Sequence, residues 1–158
     1  MKKHSCGAIL YTIYNSKVYL ILGLEKGQWF PFKGTREKDE CNIKAAIREI
    51  YEETYGTVKI DNISLDCNFS TKRKHYHIGL VFVPYFYVNK IFKNKILISK
   101  DSRKYNKFLE KTDIKLFSIK FINKYRFHAV TQIPLNYYYN ELMSLQNELY
   151  IISSDYIK

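Results

Sequence analysis

The sequence predicts a mixed α/β sandwich, folded as one domain over residues 1–158. Three stretches carry that prediction. Residues 5–22 hold two apolar runs broken at Asn15-Ser16, the pattern of a β-hairpin. The segment from Cys41 to Tyr55 lacks Gly and Pro and spaces Ile43, Ala46, Ile47 and Ile50 as one face of a helix, with Gly56 as its stop. Leu135 to Ile152 reads as a closing helix with Leu142, Leu145 and Leu149 on one side. Between these, Trp29 to Gly34 is aromatic and punctuated by Pro31, so it is read as an irregular strand or loop. Residues 57–69 and 75–88 alternate or run apolar like strands, residues 90–107 read as a lysine-rich loop, and Ile114 to Ile119 as a further strand. No internal repeat or linker interrupts the order.

Length and composition narrow the class. A chain of 158 residues buries about two-thirds of the surface its unfolded form exposes. With 46% hydrophobic residues it is expected to be globular rather than disordered. Apolar runs such as Ile78 to Phe86 are about half the length of a membrane helix, so no membrane association is expected. Met1-Lys2-Lys3-His4 leads straight into a strand-like segment, and no signal peptide is expected. Cys6, Cys41 and Cys67, odd in number and irregular in spacing, read as reduced thiols of a cytoplasmic protein, neither disulfide frame nor zinc site. No obligate protein partner is inferred.

A net charge of +11 implies attraction to a polyanion. Against that background, Glu37, Asp39, Glu40, Glu49, Glu52 and Glu53 gather 6 of the 15 acidic residues within 17 positions. Glu49, Glu52 and Glu53 stand at i, i+3 and i+4, which places three carboxylates on one face of the helix. Like charges so placed destabilise a helix by a few tenths of a kcal/mol per pair, roughly, and hard divalent ions such as Mg²⁺ or Mn²⁺ would remove that cost. A solvated face paired with Arg48 and nearby lysines is the alternative reading of the triplet alone.

The surroundings of the triplet are more specific. Gly34, Glu40, Arg48, Glu49, Ile50, Glu52 and Glu53 follow G-x5-E-x7-R-E-U-x-E-E, with U a bulky aliphatic residue, and this pattern resembles the Nudix box. The box ends imperfectly, because the glycine expected at position 55 stands at Gly56, after Tyr55. The resemblance implies a mixed β-sheet sandwiched between α-helices and hydrolysis of an X-linked diphosphate by activated water with two or more divalent ions, Mg²⁺ or Mn²⁺. It implies that Glu49, Glu52 and Glu53 bind metal with help from the Lys33 backbone carbonyl. Gly34, Glu40 and Arg48 are then structural, Glu40 pairing with Arg48.

Outside the box, Cys6 to Leu10 and W-F-P-F-K-G-T are similar to two branches of that family. One is the mRNA-decapping enzymes with their viral counterparts, and the other the dinucleoside tetraphosphate and diphosphoinositol polyphosphate hydrolases. Glu110 to Ile119 and Lys124 to Val130, with Ile133-Pro134-Leu135, resemble the decapping branch, in which a Glu seven residues before the strand aromatic joins the metal site and acts as base. Glu110 takes that position, and an exposed loop acid is the alternative. The expected function is removal of the 5′ cap of mRNA, releasing 7-methyl-GDP, with a dinucleoside or diphosphoinositol polyphosphate hydrolase as the alternative. A separate regulatory domain and the branch's long acidic RNA-binding helix are not recognisable.

Two basic clusters suit phosphate groups of capped RNA or of a nucleotide or inositol polyphosphate: Lys72, Arg73 and Lys74 beside His75 and His77, and Lys100, Arg103, Lys104 and Lys107. A solvated loop is the alternative for each. Trp29, Phe32, Tyr76 and Tyr125 are candidate rings for stacking on a methylated guanine.

Overall fold

The computed structural model describes residues 1–99 and 110–157. Strand β1 (Lys3–Tyr14) turns through Asn15 and Ser16 into β2 (Lys17–Glu25). Both turn residues have positive φ, 48° and 59°, as a two-residue hairpin turn matching the strand twist requires. A second turn, Lys26-Gly27, leads to β3 (Gln28–Phe30), and Pro31 separates it from β4 (Phe32–Thr35). Helix α1 (Asn42–Glu53) follows, then β5 (Cys67–Ser70), β6 (Lys74–Phe82), α2 (Tyr85–Ser99), β7 (Asp113–Ser118), a 3-10 segment (Ile119–Lys124) and α3 (Ala129–Ile157).

The strands form one mixed sheet in the order β3-β2-β1-β6-β5, with β4 paired to β1 and β7 to β2. The β1–β6 pair is parallel and the others are antiparallel. β1 is buried on both faces, which explains its continuous apolar run from Ala8 to Leu10. Ala8, Leu10 and Ile21 face Ala45, Ala46 and Ile50 of α1 and Val88 and Ile91 of α2. Ile9, Leu20 and Leu22 face Leu135, Tyr138 and Leu142 of α3 and Phe117 of β7. The sheet therefore lies between helices, as the sequence predicts. No helix among the described residues is long and apolar enough to cross a membrane.

Three expectations need correction. Residues 57–66 are not a strand, since pairing begins only at Cys67. Val58 and Ile63 nonetheless bury their side chains against the α1 side of the core, so the apolar alternation reports packing without a ladder partner. The strand expected over residues 75–88 ends at Phe82, because residues 85–88 open α2. Residues 90–99 continue that helix rather than forming a loop, with Val88 and Ile91 buried one helical turn apart. The rest of that stretch, with Lys100, Arg103, Lys104 and Lys107, lies outside the described residues.

Candidate functional site

Helix α1 starts at Cys41, whose Sγ accepts the Lys44 amide hydrogen, and presents its apolar side to the sheet. That docking carries Glu49 and Glu53 inward: Glu53 is 1% exposed and Glu49 is 7% exposed. β4 closes over them. A side chain at Gly34 would collide with the Glu49 carboxylate, so the glycine gives the acid its space. The Lys33 amide donates to Glu53 Oε2 at 3.0 Å.

Arg48 organises the outer half of this face. It forks onto Glu40, with Nε to Oε1 at 2.6 Å and Nη2 to Oε2 at 3.0 Å, while Nη1 reaches Glu49 at 2.7 Å and Glu52 at 3.3 Å. Nη2 also donates to the Thr35 carbonyl at 3.1 Å, which ties the loop before α1 to the helix. The guanidinium holds the Glu40 carboxyl below the usual carboxylate range. Burial raises the pKa of Glu49 against the pull of Arg48.

Two residues not singled out from the sequence complete the opposite wall. Lys111, just before β7, is wholly buried, and its Nζ lies 2.9 Å from Glu25 Oε2 and 3.4 Å from Glu53 Oε2. Burial raises the pKa of Glu53, while the ammonium groups of Lys111 and Lys33 and the Lys33 amide act the other way. The sequence signals were slight. Glu25 ends an apolar strand at a turn, and Lys111 adjoins Glu110.

Glu25, Glu49, Glu52 and the exposed Glu110 line a pocket of about 380 Å³. Glu25, Lys33 and Lys74 also line a neighbouring groove of about 660 Å³, whose walls add Lys26, Lys72 and Arg73. The acidic pocket thus opens into a basic groove. Phe30, Tyr76 and His128 supply the groove's rings. The His128 Nδ1 accepts the Val130 amide at the start of α3, so the neutral ring carries its proton on Nε2. Of the four candidate stacking rings, Phe32 is fully buried, Trp29 packs edge-on against Phe117, Tyr76 stacks on Phe69, and Tyr125 is 41% exposed beside Phe117 and Phe127. Only Tyr76 of the four lines the groove.

The donor chemistry of the pocket fits a hard divalent ion. Carboxylates of Glu25, Glu49, Glu52 and Glu110 line the pocket, oxygen donors of the kind such an ion takes, and the nearby Glu53 Oε1 is buried without a hydrogen-bond partner. In the present arrangement Arg48 and Lys111 engage these acids, and among the described residues no three acidic, histidine or cysteine side chains converge on one metal position. Cys6, Cys41 and Cys67 are free thiols and take no part.

No protein-family model and no curated protein matches the sequence. Solved structures do match the fold. A mutT/nudix family protein from Listeria innocua is 15% identical with a TM-score of 0.58, covering 98% of this chain and 96% of its own. An Ap4A hydrolase of C. elegans in a binary complex is 19% identical with a TM-score of 0.51, covering 97% of this chain and 98% of its own. A NUDIX hydrolase from Nitrosomonas europaea is 17% identical with a TM-score of 0.57, covering 89% of this chain and 71% of its own. All three likenesses span 89% or more of this chain, and the chain has the Nudix fold.

Proposed function

We propose that this chain is a metal-dependent pyrophosphohydrolase that cleaves a phosphoanhydride bond in a substrate carrying several further phosphates. The observation that carries the reading is the continuity of an acidic pocket with a groove walled by Lys26, Lys33, Lys72, Arg73 and Lys74. A scissile diphosphate needs cations at the reacting phosphorus, and the rest of a polyanion needs a positive surface beside it.

Glu49, Glu52 and Glu53 are the residues that would hold Mg²⁺ or Mn²⁺, with Glu110 at the pocket rim. Bound there, a divalent ion supplies polarisation of the attacking water and neutralises charge on the phosphates. The chain's own groups do the remaining work. Lys33 and Lys74 face both cavities and orient the phosphates. Arg48 keeps the loop from Gly34 to Glu40 packed on α1, so the carboxylates keep their aim. Water adds to one phosphorus, the bridging P–O bond breaks, and the leaving phosphate takes the electron pair. Glu110 is assigned the water proton: it is one of two exposed carboxylates of this pocket, and the other, Glu37, lies 3.9 Å from Arg48.

Our first substrate is the 5′ cap of mRNA, cut to release 7-methyl-GDP, with the RNA phosphates along the basic groove. A specific observation favours a second reading, a dinucleoside or diphosphoinositol polyphosphate. The Phe30 ring already faces the Lys33 and Lys111 ammonium groups at 4.9 and 5.5 Å, and Tyr76 is stacked on Phe69. A methylated guanine, itself cationic, gains little from rings so partnered among five basic side chains. Hydrolysis of capped RNA, free cap analogue, diadenosine polyphosphates and diphosphoinositol phosphates, each with Mg²⁺ and Mn²⁺, separates the readings. Release of 7-methyl-GDP from capped RNA at least about tenfold faster than from free cap supports the first, because remote contacts supply the difference. Preference for a polyphosphate, with no dependence on RNA, selects the second. Hydrolysis of none of the four rejects the enzyme assignment.

A further inference from the structure

We propose that Lys111 is a resident cation of the hydrolytic centre: its ammonium holds the position between Glu25 and Glu53 and lowers by one the number of divalent ions the pocket takes. The inference rests on the hydrolase reading, and it adds a residue that the Nudix box does not contain.

Lys111 reaches this position by construction. Its side chain crosses β2 at Gly23, where an added Cβ would stand 2.6 Å from the lysine Cδ. Its carbonyl accepts the Tyr55 hydroxyl at 2.6 Å, and the next residue, Thr112, donates its amide to the Leu24 carbonyl at 2.8 Å. Backbone and side chain are therefore fixed from both sides of the pocket. The ammonium lies 2.9 Å from Glu25 and 3.4 Å from Glu53, with no exposure to solvent.

Stability alone is a weak reason for such a lysine, because buried ion pairs are seldom better than apolar packing of the same volume. Its location gives a better one. Glu53 Oε2 takes Lys111 and the Lys33 amide, while Oε1, also buried, has no hydrogen-bond partner. One oxygen of the carboxylate is thus committed to the protein's own cation and the other remains for a metal ion. A divalent ion bridging Glu25 and Glu53 would have to displace the ammonium or sit against it, and like charge forbids the second. The ammonium therefore occupies the one cation position that Glu25 and Glu53 would otherwise offer to a divalent ion.

Mn²⁺ binding to the folded protein, counted by the loss of the free-ion electron paramagnetic resonance signal, tests this without any turnover. Lys111→Met should bind one more Mn²⁺ per chain than wild type, and Lys111→Arg should keep the wild-type count. Glu25→Gln should also keep it, because no ion uses Glu25 while the lysine is present. Glu25 lies at a strand end and is partly exposed, so this variant remains informative if Lys111→Met does not fold. A folded Lys111→Met with the wild-type count and affinity, or loss of one ion in Glu25→Gln, overturns the proposal. If that happens while wild type binds Mn²⁺ and hydrolyses substrate, the hydrolase reading stands alone. An ion bound only after Lys111→Met supports the lysine's role even if wild type is inactive. Absence of Mn²⁺ from wild type and variant alike removes both.

Discussion

Along the α1 wall of the acidic pocket, Gly34, Glu40, Arg48, Glu49, Glu52 and Glu53 all fall within 20 consecutive residues; the first five touch or make room for one another, and Glu53 takes the Lys33 amide of the same stretch. The facing wall is assembled from Glu25 and Lys111, which are 86 residues apart and meet only because β2 pairs with β7. The first wall is local chemistry, set by helical spacing. The second is topology, set by strand register. Sequence reading reaches the first kind of site far more readily than the second.

The comparison breaks most sharply at Glu53, which belongs to both walls. Glu53→Gln keeps the volume and the acceptor for the Lys33 amide but removes the charge that Lys111 approaches and that the proposed metal ion would use. Turnover should fall by about two orders of magnitude or more, the scale of a lost charge-stabilising group, with the circular dichroism spectrum unchanged. Near-normal turnover would remove α1 from the chemistry.

Glu110 sharpens the comparison from the other side, since it is an exposed acid of the second wall. Glu110→Gln should slow the chemical step by about a hundredfold, the lower end of what general bases contribute. Single-turnover rates should fall while substrate affinity stays close to wild type. Equal losses in both would mark it as a binding contact.

The groove extends the second wall, and its effect is smaller and salt-dependent. Replacing Lys72, Arg73 and Lys74 together by Ala should reduce cleavage of a long polyanion by about tenfold at low salt, shrinking as salt rises through loss of counterion release. The rate on a free cap analogue should fall less, since of the three only Lys74 also lines the acidic pocket. A uniform loss on every substrate would assign these residues to the fold: Lys74 also donates to the Thr35 hydroxyl at 3.2 Å.

How far each part was legible follows from the same distinction. The hairpin turn is written in adjacent residues, and the structure places it where the spacing predicts. The core face of α1 is met in part: Ala46 and Ile50 are buried together with Ala45, while Ile47 is half-buried and Ile43 is 41% exposed. The helix is turned so that Glu49 and Glu53 also face inward. Helix α2 was missed because its apolar residues do not keep to one side: Val88 and Ile91 are buried, while Phe86, Tyr87, Ile96 and Leu97 are exposed. Residues 57–66 show the reverse error. Alternation there tells which side chains face the core, but a strand also needs a neighbour, and none is available before Cys67. Lys111 was invisible for a related reason, since a lysine in a basic chain carries no mark of burial.

The displaced glycine of the box links the two walls and gives the smallest predicted effect. Tyr55 takes the left-handed conformation (φ 57°) in which the pattern expects glycine, and Gly56 follows at φ 73°. A side chain in that conformation costs roughly 1–2 kcal/mol. The compensation is visible: the ring is 2% exposed, and its hydroxyl donates to the Lys111 carbonyl at 2.6 Å. Burial pushes the Tyr55 hydroxyl well above the usual tyrosine range, so it remains a donor throughout the working pH range. Tyr55→Phe keeps the ring and the strain but leaves the carbonyl without that donor. Stability should fall by about 1–2 kcal/mol, the cost of leaving a buried acceptor unpaired. For a chain of this length that is about 2–8 °C in the melting temperature. If the bond also aims Lys111 and Glu110, kcat should fall severalfold while KM is unchanged, and the kcat loss should vanish when Lys111 is already Met. A lower melting temperature with wild-type kcat would mean that Tyr55 repairs the helix end and nothing more.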